Sequence, residues 1–147
     1  MCLIVVAVLM SLLLPRLAEL RQASRPGRLQ AAAAAARVAA SLFHARCEAV
    51  QAASPPGDCT QLALDGAVIA GVHGWPAASS DGIARAATLA AASGPARLDA
   101  FTLRTGERNG TPALYIGLGN QSCEFVYVQA KRLGDVPEVD IVDASCH

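Results

Sequence analysis

Aromatic side chains are scarce: one Trp, two Tyr and three Phe make up 4% of the 147 residues. Core volume must therefore come from aliphatic residues. Much of the 53% apolar fraction is alanine, which fills little space, so the folded body is small. Net charge is lacking as well. Twelve basic and twelve acidic residues cancel, and nothing favours nucleic acid or an anionic membrane surface. No two cysteines stand in the CxxC spacing of a zinc site, and the three histidines are scattered. There is no Gly-x-Ser-x-Gly turn, no phosphate-cradling glycine loop, and no serine with a histidine and an acid in a recognisable catalytic context. The expectation is a chain that is not an enzyme, holds no cofactor or metal and has no nucleic-acid partner.

Charge is also missing from the start. No ionisable side chain other than Cys2 precedes Arg16. The run ends at Pro15 and carries Leu3, Ile4, Val5, Val6, Leu9, Leu12, Leu13 and Leu14. A secretory signal needs a basic n-region, which is absent here. A membrane-spanning helix needs about 20 apolar residues, more than this run supplies. On length alone, three readings stay open: a signal, a span continued upstream of Met1, and a span in which Leu17 and Leu20 dip into the interface while Arg16 snorkels. Cys2 reads as a small buried hydrophobe.

Behind the run, residues 29–53 read as an amphipathic helix. Leu29, Ala33, Ala36, Ala40, Phe43, Cys47 and Val50 recur at three- and four-residue spacing and form one apolar stripe. Pro26-Gly27 should kink or melt the helix, Pro15 gives a second discontinuity, and the segment from Ser54 to Asp58 stops it. The runs Gln61 to Leu64 and Ala67 to Val72 flank Asp65-Gly66, a two-residue hairpin signal. Gly74-Trp75-Pro76 breaks the strand pattern, and Ser79-Ser80-Asp81 caps a short helix extending to about Ala92. Three strands follow, marked by Phe101 and Leu103, by Leu114, Ile116 and Leu118, and by Phe125 and Tyr127. Gly106 to Gly110 and Gly119 to Ser122 connect them, and Val139 and Ile141 mark a last, edge strand. The fold class is α+β, a long N-terminal α-helix packed on a small antiparallel β-sheet. Three parts follow in order: an apolar segment (1–28), an amphipathic helix (29–53) and a β-rich head (54–147).

Four cysteines lie beyond the apolar run and allow three pairings. Local, turn-bounded pairing favours Cys123 with Cys146 and Cys47 with Cys59, although Cys47 also fits a buried free thiol. Each closed loop is worth roughly 3 kcal/mol on chain-entropy grounds, and the framework suits an oxidising compartment. His44 sits beside the apolar stripe. His73 and His147 have no partner at metal-ligand spacing. Trp75, in His73-Gly74-Trp75-Pro76, reads as a half-buried turn residue and is the candidate for surface recognition of a sugar. Arg16, Arg21, Arg25, Arg28, Arg37 and Arg46 dominate the first third, whereas Glu124, Asp135, Glu138, Asp140 and Asp143 gather near the end. These acids read as a solvated face, with the arginine-rich helix of a neighbouring subunit as the other contact open to them.

This layout resembles the type IV pilins and pseudopilins of bacteria. Leu14-Pro15-Arg16-Leu17 is similar to the family's LPRF segment, and Leu42-Phe43-His44-Ala45-Arg46-Cys47 to its helix end. Leu64-Asp65-Gly66, then Val72-His73-Gly74-Trp75-Pro76-Ala77-Ala78 and Gly82-Ile83, resemble successive motifs of its head. Cys123, Tyr127 and Cys146 match its disulfide-bounded C-terminal loop. The pattern is most similar to pilins of the mannose-sensitive haemagglutinin type. The family's basic leader, glycine cleavage site, phenylalanine and glutamate are missing, and the expectation is a true start upstream of Met1. The resemblance implies a structural subunit of a filament for surface attachment. It implies anchoring in the inner membrane before assembly and an extracellular pilus afterwards. Its partners would be other pilin subunits, the inner membrane and the pilus assembly machinery. In the filament core, helices would bury one another's apolar surface at about 25 cal/mol per Å². A secretion pseudopilin, or a membrane-anchored periplasmic or surface carbohydrate-binding module, is the alternative.

Overall fold

The computed structural model describes residues 25–53, 59–88, 101–119 and 123–143. Helix α1 (Arg25–Ala53) leads into β1 (Gln61–Leu64), β2 (Ala67–Val72) and β3 (Trp75–Pro76). A short helical segment, Ser80–Ala84, precedes β4 (Phe101–Arg108), β5 (Thr111–Leu118), β6 (Glu124–Val128) and β7 (Glu138–Asp143). The chain is thus α+β, a long helix packed on antiparallel strands. The strands divide into two sheets, ordered β1-β2-β3 and β4-β5-β6-β7, rather than forming one. Pro76 has no N–H to extend a ladder. The helical segment that follows is capped by Ser79, whose Oγ accepts from the Gly82 N–H at 3.0 Å, and it packs against β2, where Arg85 donates to Val68 O at 2.9 Å.

Three hairpins share one device. Asp65-Gly66, His73-Gly74 and Asn109-Gly110 all have positive φ (47° and 81°, 55° and 83°, 53° and 74°), the type I′ conformation that matches strand twist. Two of these turns lie where Asp-Gly and Asn-Gly announce them. The third corrects the sequence expectation: Gly74-Trp75-Pro76 does not break the strand pattern, because His73-Gly74 turns it and Val72 pairs with Trp75. The presumed loop from Gly106 is likewise strand as far as Arg108, with Gly106 opposite Ala113 and Arg108 opposite Thr111.

The inner face of α1 is the core's largest contributor. Leu29, Ala32, Ala33, Ala36, Ala39 and Ala40 pack with Ile83, Leu114, Ile116, Phe125 and Tyr127. Alanine lets the backbones approach closely. Phe43 and Cys47 form a second cluster with Cys59, Leu62 and Ile69. Val50 departs from the expected stripe and is 38% exposed, since no buried helix residue follows Cys47. Pro26 and Gly27 are helical in backbone, so the pair does not melt the helix; proline's fixed φ is compatible with it. Helical winding after Ser79 closes with the Ala87 N–H donating to Ile83 O at 2.9 Å and the Thr88 N–H to Arg85 O at 3.1 Å, and Thr88 takes a φ of +57°. The remainder of the stretch expected to reach Ala92 lies outside the described residues.

Val126 and Val128 are buried, although alternation along β6 puts them opposite Phe125 and Tyr127. Their face of the sheet is covered. The Arg104 guanidinium lies 4.0 Å over the Tyr115 ring and pairs with Glu124 at 2.9 Å, while Arg108 pairs with Asp140 at 2.9 Å. Tyr127 joins the two sheets by donating its hydroxyl to Pro76 O at 2.8 Å, and burial pushes its phenol well above the ordinary range. Gln129 Oε1 adds a second tie, accepting from the Ala78 N–H at 3.2 Å.

Candidate functional site

Helix α1 has a second apolar stripe, on the face turned away from the sheets. Ala31, Ala35, Val38, Leu42, Ala45, Ala49 and Ala52 alternate four and three residues apart, and every one of them is exposed. Val38 is 60% and Leu42 61% exposed, the two large side chains in the row. Such 4-3 spacing keeps one seam facing a partner helix along its length. A solvated helix face ordinarily carries charges at these positions. Here the charged residues sit to the side. Arg37 donates to Val139 O at 2.8 Å and covers a carbonyl of strand β7. Arg46 is exposed, and its side chain has no ion pair or hydrogen bond among the described residues.

Sequence reasoning found the buried stripe and missed the exposed one. The signal was present in the seven apolar positions, but five of them are alanines whose helix propensity explains them without any partner. Only the exposure of Val38 and Leu42 separates a filler from a seam.

The two stripes are held in register with the head by a pin at the end of the helix. Cys47 and Cys59 form a disulfide with a Cα–Cα distance of 5.8 Å, closing the loop between α1 and β1. Beside it, the His44 ring lies parallel to Trp75 with centroids 4.0 Å apart. His44 Nδ1 donates to Gly74 O at 2.9 Å, which assigns that nitrogen the proton, and Nε2 lies 3.3 Å from Glu48 Oε1. Trp75 is thus partly buried with one indole face covered by imidazole, a face no longer available to stack on a sugar. His73 is exposed in its turn.

Cys123 is buried and disulfide-bonded; Cys146, its expected partner, lies outside the described residues. So do Cys2, Leu3, Ile4, Val5, Val6, Leu9, Leu12, Leu13, Leu14, Pro15 and His147. Among the described residues no helix is long and apolar enough to cross a membrane. No group of three or more His, Cys, Asp or Glu among them is arranged to hold a metal ion. A cleft of about 270 Å³ opens beside the Asn109 turn, lined by Arg108, Lys131, Asp135 and Glu138 among others. Two of those charges are already paired, Arg108 with Asp140 and Asp135 with Arg132.

Comparison with protein-family models, curated proteins and solved structures finds no match to the chain.

Proposed function

We propose that this chain is a structural subunit of a filament of the type IV pilin kind. It is held in the bacterial inner membrane before assembly and then polymerised through its long helix into an extracellular fibre for surface attachment. The observation that carries the reading is the doubly apolar helix. One face of α1 is buried against the head, and the opposite face keeps seven apolar residues in unbroken 4-3 spacing, with Val38 and Leu42 in water. Complete burial of such a side chain is worth about 1.5–3 kcal/mol, a term that recurs at each subunit added. The uncharged apolar run from Met1 to Leu14, read from the sequence, suits the same use. The disulfide between Cys47 and Cys59 supports it from another side, since a subunit outside the cell needs its helix tied to its head. Partners on this reading are other copies or related subunits, the inner membrane and the assembly machinery.

The test is expression of the chain together with the in-frame codons upstream of Met1, in a bacterium that has a type IV assembly system, with sheared surface filaments analysed by immunoblot and electron microscopy. The parent chain should enter the filament fraction. The double variant Val38→Glu, Leu42→Glu should keep its disulfides and thermal unfolding yet stay in the membrane fraction. A parent that never leaves the membrane, or a double variant that assembles as well as the parent, would overturn the reading.

A further inference from the structure

We infer that the turn between β6 and β7 of one copy docks, through Leu133 and Val136, on the outer helix stripe of a second copy around Val38 and Leu42. The inference rests on the filament reading above and names the second surface that such an assembly requires.

Leu133 is 80% exposed and Val136 68%, the two highest values among the exposed large hydrophobic residues. They are held outward by a built turn. The Asp135 N–H donates to Arg132 O at 3.1 Å, Gly134 supplies the positive φ of +92°, and the Arg132 guanidinium lies 3.7 Å from the Asp135 carboxylate. A turn closed in this way presents its leucine as a fixed knob and loses little freedom on docking. The helix stripe offers the matching seat, because Ala35, Ala45 and Ala49 leave low ground around Val38 and Leu42.

The charges agree. Arg46, one turn beyond Leu42, is exposed, and Glu138, two residues beyond Val136, is exposed too. Neither side chain has an ion pair or hydrogen bond among the described residues. Knob and stripe are both exposed in the same chain, so neither covers the other within one copy. A second copy supplies both surfaces in equal number. Because the two surfaces differ, the contact is head-to-tail, and a head-to-tail contact that does not close on itself builds an open filament.

Two measurements on the full chain in the assembling bacterium decide it. Leu133→Glu should lower the filament fraction about tenfold or more while leaving thermal unfolding unchanged. Arg46→Glu and Glu138→Arg should each lower it, and the two combined in one chain should restore it, because every copy then carries both reversed partners. A photo-crosslinking residue at position 133, in filaments grown from mixed ¹⁴N and ¹⁵N chains, should label the 38–46 peptide of the other isotope. If Val38→Glu, Leu42→Glu blocks assembly while Leu133→Glu and the charge reversals do not, the docking fails and the filament reading stands. If none of these variants changes assembly, both fall. A crosslink from position 133 only to its own chain also overturns the docking.

Discussion

The imidazole of His44 lies flat on the indole of Trp75, with centroids 4.0 Å apart and planes within 1° of parallel. The two residues come from α1 and β3, so the stack clamps the long helix to the first sheet. Beside it the hydrogen bond from His44 Nδ1 to Gly74 O, at 2.9 Å, anchors the same ring to the turn. Replacing His44 with Ala removes the stack, worth about 0.5–1.5 kcal/mol, and a hydrogen bond worth about 1 kcal/mol. His44→Phe keeps the stack alone. Denaturant unfolding followed by the emission of the single Trp should rank the chains parent, His44→Phe, His44→Ala in falling stability. An Ala variant as stable as the parent would show that the stack holds nothing.

Two glycines should respond to alanine in opposite senses. A Cβ at Gly71 would stand 2.2 Å from Cys59 O and 2.5 Å from Phe43 Cζ, so β2 passes too close to the loop and helix to carry one. Gly71→Ala should cost about 1–3 kcal/mol, the range for forced overpacking. At Gly27 nothing lies within 4 Å of the added methyl, and the backbone is helical. Gly27→Ala should therefore stabilise the helix by up to about 1 kcal/mol. Thermal unfolding of the two variants side by side checks both signs.

The disulfide between Cys47 and Cys59 spans a sequence separation of 12 residues. Its removal frees the helix end from β1 in the unfolded chain. The double variant Cys47→Ala, Cys59→Ala should lose about 2–4 kcal/mol, measured by denaturant midpoint. Intact mass before and after reduction should fall short of the parent's change by one disulfide.

Hairpins carried by Asp65-Gly66 and Asn109-Gly110 were legible because those dipeptides tolerate positive φ at both positions. His73-Gly74 was not, since a histidine in that role has no local signal and β3 is only two residues long. The pairing of Cys47 with Cys59 could be read from turn-bounded proximity in the chain. The burial of Val126 and Val128 could not, because it depends on Ala113 and Tyr115 of β5 packing against them, a non-local contact that period-two alternation does not encode. The candidate assembly face failed to register for a different reason. Alanine is ambiguous between helix former and packing surface, and only solvent exposure beside a filled inner face resolves which role Ala31, Ala35, Ala45, Ala49 and Ala52 have.

Tyr127 makes the last prediction, because its hydroxyl ties the second sheet to the first through Pro76 O at 2.8 Å. Tyr127→Phe leaves that carbonyl without its donor in a buried site, at a cost of about 1–3 kcal/mol near neutral pH. The alkaline limb separates this bond from simple packing. Burial raises the folded-state value of the phenol above its ordinary 10.0, so above that pH the unfolded chain releases a proton that the folded chain retains. Stability from this group is therefore complete below pH 10.0 and declines as the pH rises further, by about 1.4 kcal/mol per pH unit. The Phe variant has no such proton to lose. Denaturant unfolding at stepped pH should show parent and variant converging above pH 10.0, where other titrating groups cancel in the difference. Parallel curves would mean that the Tyr127 hydroxyl is not held neutral in the core.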